Sequence, residues 1–494
     1  MKNKIVILIL LTFIASPVFG ASKLLSKAMK AYERHDYLLA SNVLLSNINS
    51  FSSSEKEAAM LYLGIINNKN AAFYKSLFLS SIKANKEYLS DLVKVKGKNK
   101  SKYATLYLAE TYLNEQDYAK ALKLFKSFLK TKGITKEDIN IANIQTGLSY
   151  ALSGKLPQAK QQWKKINNPN GSAKLALIAA KLRSKEKVSY KAKTLYQDFL
   201  KLTNSGKEIN GRDLSNILLI LTEENMLSEA FDLIASRHVD SPSLKETFKD
   251  EKKISFYDIS LLENSYKILH KIGSTHLLSI DQTSKYAPTA AYYLMDSGIT
   301  FGNESHIASA SKTLMANVKL PKSLMKLQPV KLNAGEYASG KHKMANDKRD
   351  KIILNNADDP NIFAEVLLMC VYTGADCTRL IEQAKNLSGK SQGRKYVSLN
   401  TSIGHYLIQQ GQAEEALTYL ELARDKSNKN KISANDPTLL VDLAEAYRLN
   451  NVYLETLEIY FEMNNSFPVV RQIQEAVQGT YATHQKSAGD VKIF

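Results

Sequence analysis

The chain has 494 residues and carries 67 lysines and arginines against 48 aspartates and glutamates, a formal net charge of +19. This length exceeds what one hydrophobic core ordinarily holds, and two cysteines alone are too few ligands for a structural zinc site. The positive charge favours acidic partners, such as an acidic protein face, anionic lipid headgroups, glycans or nucleic acid. The plainer alternative is a soluble, lysine-rich surface.

Residues 1–20 have the pattern of a secretory signal peptide. Lys2 and Lys4 precede an apolar run over 5–15, and small residues follow at 18–20. Such a run is about half a membrane span, which favours a cleavable signal over the alternative, an uncleaved anchor. No cysteine follows it to make a lipobox, and no later stretch reaches ~18 apolar residues. We therefore expect a mature chain of charge +17 (+19 less Lys2 and Lys4) that is periplasmic or secreted.

A spaced signature then recurs along the chain: a small residue, a tyrosine, a turn, an alanine and a bulky residue. The small residues at 109 and 147 lie 38 apart, and those at 404 and 444 lie 40 apart, a period that predicts stacked helical hairpins. The copies are Ala109, Tyr112, Asp117, Ala121, Phe125; Gly147, Tyr150, Gly154, Ala159, Trp163; Gly404, Gly411, Ala416, Leu420; and Ala444, Tyr447, Thr456, Tyr460.

The small residues have a physical role, because a large side chain where two helices cross would hold their backbones apart. We expect Ala109 and Ala121 to occupy such contacts, with Tyr112 and Phe125 filling the space alongside. Gly147 and Ala159 would do the same in the next unit, with Tyr150 and Trp163 alongside. A weaker copy begins at Gly64, and we expect residues 74–82 to form its partner helix.

The signature fades between about 240 and 360, and residues 319–351 lose helical periodicity and gain prolines and glycines. Long loops are usually functional or disordered. We expect a basic linker or insertion here, whose cations are Lys319, Lys322, Lys326, Lys331, Lys341, Lys343, Lys348, Arg349 and Lys351.

The two cysteines, Cys370 and Cys377, flank a segment that reads as a turn between two helices. In an oxidising compartment such a pair is a candidate disulfide, with two inert buried thiols as the alternative.

The signature resembles the tetratricopeptide repeat family, including the Asp117-Tyr118 pair after the turn, and the likeness covers about two-thirds of the mature chain. It is strongest over 103–166 and 396–468. The resemblance implies a bacterial envelope or periplasmic protein with an all-α superhelical solenoid of antiparallel hairpins, interrupted by the irregular basic segment. The expected order is a signal peptide (1–20), an N-terminal array (21–240), a degenerate helical region (241–318), the basic segment (319–359), a C-terminal array (360–479) and a tail (480–494).

No group of residues in the sequence forms a convincing catalytic, metal-binding or phosphate-binding motif. The histidines are scattered, and Gly389-Lys390-Ser391 lacks the earlier glycine of a phosphate-binding loop, where Ala384 stands. No Gly-x-Ser-x-Gly elbow provides a nucleophile. We therefore expect no catalytic residue, metal or cofactor, and a protein that is not an enzyme.

Repeats of the family that this chain resembles hold another protein's peptide or helix in the groove. We accordingly expect a scaffold that binds envelope proteins in a pilus or secretion, outer-membrane or polysaccharide export system. Exposed positions on the first helix of each hairpin would bind the partner, around Thr105, Asn143, Ser402 and Asp442. The alternative is a basic surface that binds an anionic glycan or a membrane surface. Nucleic acid is disfavoured, since only Tyr337 could stack bases within the basic segment. The oligomeric state stays open.

Overall fold

The structure is a computed structural model that describes residues 23–33, 37–94, 100–166, 169, 171–204, 211–236, 257–316, 319–430 and 437–464. The expected signal peptide and tail lie outside these residues. The described chain forms α-helices and one 3-10 turn, Ile48–Ser50, with no strand, so the predicted all-α class of helical hairpins is confirmed. No described helix is both long enough and apolar enough to cross a membrane.

The contacts divide the chain into two compact units that are interleaved in sequence: Met1–Ala72 with Leu269–Asn450 (unit 1), and Phe73–Ile268 with Asn451–Phe494 (unit 2). The boundaries fall inside two long helices, Ser53–Lys94 (α3) and Tyr257–Leu278 (α12), and between Asn450 and Asn451. In chain order the helices are α1 Lys23–Glu33, α2 Tyr37–Asn47, α3 Ser53–Lys94, α4 Lys100–Asn114, α5 Tyr118–Leu129, α6 Lys136–Leu152, α7 Leu156–Trp163, α8 Gly171–Arg183, α9 Ala192–Asn204, α10 Gly211–Glu223, α11 Leu227–Ser236, α12 Tyr257–Leu278, α13 Ala287–Phe301, α14 Glu304–Met315, α15 Lys322–Ala338, α16 His342–Asn355, α17 Pro360–Thr373, α18 Thr378–Lys390, α19 Gly393–Gln409, α20 Ala413–Asn430, α21 Pro437–Leu449 and α22 Tyr453–Asn464.

Each hairpin pairs a first helix with a second one, and successive first helices pack side by side. In unit 1 these are α13, α15, α17, α19 and α21; in unit 2 they are α4, α6, α8 and α10. The turns follow local chemistry. Asp117 caps α5 by accepting the Lys120 backbone N–H at 3.1 Å, and Gly411 takes φ +75 between α19 and α20, a conformation that favours glycine.

The small residues lie at close helix crossings, as predicted. A Cβ added to Gly147 would lie 2.5 Å from Trp163 Cδ1, and one added to Gly404 would lie 2.6 Å from Leu420 Cδ2. Glycine at these positions therefore sets the distance between the two helices of the hairpin.

We expect Gly404→Ala to lower the free energy of unfolding by about 1–3 kcal/mol, because Leu420 is fully buried and cannot yield without disturbing its neighbours. Urea denaturation followed by circular dichroism measures the loss. Gly389→Ala is the matched control, since nothing lies within 4 Å of its added Cβ; it should be neutral or gain up to about 1 kcal/mol. Equal effects at the two glycines would contradict close packing as the cause.

The prediction of an irregular basic segment over 319–359 is wrong. Residues 322–338 and 342–355 form the hairpin α15–α16. Pro321 stands just before α15, Pro329 is accommodated inside it, and Gly340 makes the turn at φ +83. Gly335 is a close-packing residue, because its added Cβ would lie 2.9 Å from Met295 Sδ.

The prediction that residues 74–82 form a separate partner helix for Gly64 is also wrong, since 53–94 is one continuous helix. Within unit 1, α3 packs instead against α12. A Cβ on Gly64 would lie 2.6 Å from Leu277 Cδ2, and one on Gly273 would lie 2.7 Å from Asn68 Oδ1. Within unit 2, the rings of Phe78 and Tyr266 lie 5.6 Å apart. A helix partner some 200 residues away thus replaces the expected local one.

Candidate functional site along the first helices

Polar and aromatic side chains follow one another across the neighbouring first helices of unit 1. We call this set the polar strip; it comprises Tyr292 and Asp296 of α13, Lys331 of α15, Glu365 and Tyr372 of α17, His405 of α19 and Asp442 of α21. Because first helices pack side by side, the strip runs from hairpin to hairpin.

Lys331 lies at the centre of the polar strip and is only 3% exposed. Its Nζ makes ion pairs with Asp296 Oδ1 and Glu365 Oε1, from the helices on either side, and lies 5.8 Å from the centroid of the Tyr292 ring. Burial by itself lowers the pKa of Lys331, but the two carboxylates outweigh it and raise the pKa above its ordinary value. The ammonium therefore stays charged and links three hairpins.

The two carboxylates differ in access to solvent. Asp296 is 37% exposed and Glu365 is 15% exposed. Asp296 is thus the charge of this triad that a ligand reaches most readily. Burial, reinforced by Glu365 and Asp296, raises the pKa of Tyr292 far above its ordinary value, so this hydroxyl stays protonated.

His405 and Asp442 form the other end of the polar strip. The imidazole Nδ1 lies 2.8 Å from Asp442 Oδ1, and the His405 ring lies 6.2 Å from the ring of Tyr372. Burial lowers the pKa of His405, but the Asp442 carboxylate outweighs it, so the pKa is raised above 6.5. Folding therefore stabilises the imidazolium form of His405 relative to the unfolded chain.

This raised pKa predicts the sign of a pH effect. The stabilisation by the His405–Asp442 pair is fully present below about pH 6.5, the unfolded pKa of histidine, and is lost as the pH rises through the folded pKa. Burial lowers the pKa of His276 to about 4 and also lowers that of His306. These two histidines therefore reduce stability as the pH falls below 6.5, and they do not affect the range above it. We expect wild type to lose more stability than His405→Gln between pH 6.5 and 8.5. Urea denaturation of both proteins across this range tests it, and parallel curves would contradict it.

Unit 2 contains a buried ion pair that joins distant first helices. Arg212 Nη2 of α10 donates to both carboxylate oxygens of Glu110 of α4 at 3.1 Å, and Glu110 is 1% exposed. The helices α6 and α8 lie between α4 and α10 in the chain. The contact therefore joins the first and the last of these four first helices.

The four predicted partner-binding positions are less exposed to solvent than expected. Thr105 is half-buried, while Asn143, Ser402 and Asp442 are 7, 8 and 6% exposed, so the prediction that these three are exposed is wrong. Asn143 Oδ1 accepts a hydrogen bond from Gln162 Nε2 at 2.7 Å, and Asp442 holds His405. Their role in partner binding stays a prediction.

Sequence reasoning missed most of the polar strip, although a signal was present. The residue directly after the small residue of the signature is charged or titratable and buried in three copies: Glu110, His405 and Glu445. Lys331 belongs to the predicted basic cations but is buried, whereas Lys319, Lys322, Lys326, Lys341, Lys343, Lys348 and Lys351 are exposed and Arg349 is half-buried.

The predicted disulfide is confirmed: Cys370, near the end of α17, is joined to Cys377, at the N-cap of α18, with their Cα atoms 6.3 Å apart. A cleft of about 720 Å³ opens beside it, between α16 and α18.

Among the described residues, no group of three or more His, Cys, Asp or Glu is arranged to hold a metal ion.

The sequence matches no protein-family model and no curated protein. Among solved structures, it is similar to the APC/C hetero-tetramer Cut9-Hcn1 at 13% identity, covering 92% of this chain and 96% of that one with a TM-score of 0.28. It is also similar to yeast Tom70 at 11% identity, over 92% and 97% of the two chains, with a TM-score of 0.30. A third similarity, to Naa15/Naa10 bound to HypK-THB, has 12% identity, coverage of 94% and 79%, and a TM-score of 0.21.

Proposed function

We propose that the protein is a non-enzymatic scaffold outside the cytoplasm that binds partner proteins along the polar strip. The observation that carries the proposal is the run of five neighbouring first helices in unit 1, which places charged and aromatic side chains in register from one hairpin to the next. Repetition of this kind suits an extended peptide or a helix, which needs several spaced contacts rather than one deep pocket.

The proposed location is supported by two features of the chain. Residues 1–20 have the pattern of a secretory signal, and the only two cysteines of the sequence form a disulfide, as is typical of oxidising compartments. We accordingly propose a role in assembling an envelope machine, such as a pilus or secretion apparatus, an outer-membrane complex or a polysaccharide export system.

The chemistry of the polar strip supports binding rather than catalysis. Lys331 is engaged by two carboxylates and His405 by Asp442, so these groups hold one another in place. Mutual pairing fixes side-chain positions before a ligand arrives, which lowers the entropy cost of association.

The test is a crosslinked pull-down of the mature protein from its native cell envelope, washed at low and at high salt. We expect one or two specific envelope proteins that survive high salt, and Asp296→Asn should weaken their binding about tenfold, or ~1.4 kcal/mol. Asp347→Asn on exposed α16 is the matched control, and thermal unfolding of both variants identifies any loss of folded protein. Recovery of only glycan, lipid or acidic material that washes off with salt would overturn the proposal.

The second candidate is a basic surface for an anionic glycan or a membrane surface. It is favoured by the seven exposed lysines of the hairpin α15–α16 and its approach, between positions 319 and 351. Charge-driven binding must weaken steeply as salt rises. Binding to vesicles with anionic headgroups, compared between wild type and Lys341→Glu/Lys343→Glu, distinguishes this function from protein binding.

A further inference from the structure

Three large apolar side chains are exposed at one end of the hairpin α15–α16. Met315 is the last residue of α14, Met325 lies in the first turn of α15, and Leu354 lies in the last turn of α16. They are 70, 47 and 77% exposed, and Leu354 and Met315 are the two most exposed large apolar side chains of the described residues. Exposed apolar side chains that gather in one place mark a site of contact with a protein or a membrane.

Two described contacts show that these three helix ends lie side by side. Gln328 Nε2 of α15 donates to the Leu314 carbonyl of α14 at 2.7 Å. Lys326 Nζ of α15 lies 3.8 Å from Asp359 Oδ2, in the loop that follows α16. The last turn of α14, the first turns of α15 and the last turn of α16 therefore meet, and we call this place the basic end.

Lysines surround the apolar side chains of the basic end. The exposed cations there are Lys312, Lys319, Lys322, Lys326 and Lys351. Within 312–326 and 350–359 the acids are Asp350, Asp358 and Asp359. Arg349 pairs with the first of these acids and Lys326 with the last, so positive charge is left in excess. The next loop between hairpins, which joins α18 to α19, continues this charge with the exposed Lys390, Arg394 and Lys395.

The opposite end of the hairpin lacks this combination. Lys341 and Lys343 supply positive charge there, but within 335–348 the one large apolar side chain that is exposed is Met344, at 42%. The turns of the neighbouring hairpins carry the exposed acids Glu304 and Asp376 at this end. The opposite end therefore offers matched controls within the same hairpin.

We propose that the basic end docks the protein on a membrane surface with anionic headgroups. The lysines lie at the headgroup phosphates, and Met315, Met325 and Leu354 enter the boundary between headgroups and acyl chains. An anionic glycan offers the same charges but no apolar layer, so the exposed apolar side chains favour the membrane. The docking site is narrower than the second candidate function, because it requires one end of the hairpin and its apolar side chains. It attaches the proposed scaffold and uses neither the polar strip nor its partner.

The first experiment measures co-sedimentation of the mature protein with vesicles of phosphatidylcholine, alone or mixed with phosphatidylglycerol. We expect binding to the anionic vesicles only, and Lys319→Glu/Lys322→Glu should weaken it by about tenfold or more. Lys341→Glu/Lys343→Glu makes the same charge change at the other end of α15, roughly 25 Å away and beyond the Debye length of about 8 Å, so it should change binding little. Equal losses in the two variants would show a diffuse attraction of the whole protein and overturn the proposal.

The second experiment tests the apolar contacts at constant charge. Met325→Ser should weaken binding to the anionic vesicles about fivefold, because it removes apolar surface that the membrane buries. Met344→Ser, the same substitution at similar exposure, should leave binding unchanged. Adding Met315→Ser and Leu354→Ser should weaken binding further, and thermal unfolding checks that each variant is folded. If the serine variants bound vesicles as tightly as wild type, and soluble heparin displaced them all, the basic end would be a polyanion surface and the proposal would be wrong.

A third measurement reports on insertion directly. The two native cysteines are joined in a disulfide, so Met325→Cys provides the thiol for an environment-sensitive fluorophore. Its emission should rise and shift to shorter wavelength on anionic vesicles, whereas the same label at Met344→Cys should not respond. A label at position 325 that stays in water on bound vesicles would contradict docking by this end. Failure of vesicle binding would leave partner capture by the polar strip untouched, so the scaffold function and the docking site are tested separately.

Discussion

Lys331→Ala is expected to lower the free energy of unfolding by about 3–5 kcal/mol, one of the two largest effects that we predict. The substitution removes the cation that pairs with both Asp296 and Glu365, and Glu365 is only 15% exposed. A carboxylate left without its cation in a buried site keeps the desolvation cost and loses the attraction that offset it. Urea denaturation followed by far-ultraviolet circular dichroism measures the change.

Two further proteins separate the ion pair from a general effect of the substitution. Lys322→Ala, at an exposed position of the same helix α15, should change stability by no more than about 0.5 kcal/mol. Lys331→Met with Glu365→Gln should recover part of the loss, because it removes the cation and the more buried carboxylate together. If Lys331→Ala behaved like Lys322→Ala, the lysine would not be part of a buried network.

Arg212→Leu is expected to destabilise unit 2 by a similar amount, about 3–5 kcal/mol. It leaves the Glu110 carboxylate, 1% exposed, without Arg212, whose Nη2 donates to both carboxylate oxygens and joins α4 to α10. The chain has a single tryptophan, Trp163, which is buried in unit 2 at the crossing with Gly147. Its fluorescence therefore reports directly on this unit during urea denaturation.

The control for Arg212 is Lys201→Ala, which removes an exposed ion pair with Asp198 at 3.7 Å. Surface pairs of this kind contribute about 0–1 kcal/mol, so the tryptophan transition should hardly move. A comparable shift for both variants would show that burial does not distinguish the two pairs.

The hairpins could be predicted from sequence because their spacing is regular. The small residue and the alanine of the signature lie twelve apart at 109 and 121, at 147 and 159, and at 404 and 416. Gly298 and Ala310 have the same spacing and belong to α13 and α14, so the twelve-residue spacing continues within the 240–360 region.

The repeat pattern did not predict the hairpin α15–α16, because one of its residues departs from the pattern. Asn333 stands twelve residues before Ala345, where a small residue is expected, and its Nδ2 donates to the Ala345 carbonyl at 2.6 Å. The amide thus ties the two helices together through a hydrogen bond instead of close packing. Pro329 and Gly335 read as helix breakers in the sequence, yet both lie inside α15.

The polar strip could be predicted only in part. A charge next to a small residue is visible in the sequence, but which charges meet depends on the packing of first helices from different hairpins. Lys331 illustrates the limit: in the sequence it is one lysine among nine basic residues, and only the neighbouring helices α13 and α17 make it a buried partner of two carboxylates.

The pairing of α3 with α12 has a consequence for the order of folding. Asn68 and His270 are in contact across 202 positions of sequence, so this part of unit 1 cannot form until the intervening chain exists. At about 5–20 residues per second, synthesis of that chain takes roughly 10–40 s, during which the apolar face of α3 has no partner from α12. Closing so long a loop also slows folding, because its entropy is lost before the contacts compensate. The apolar face of α3 is therefore exposed to aggregation for much of synthesis. A chaperone that binds nascent α3 would protect it during this time.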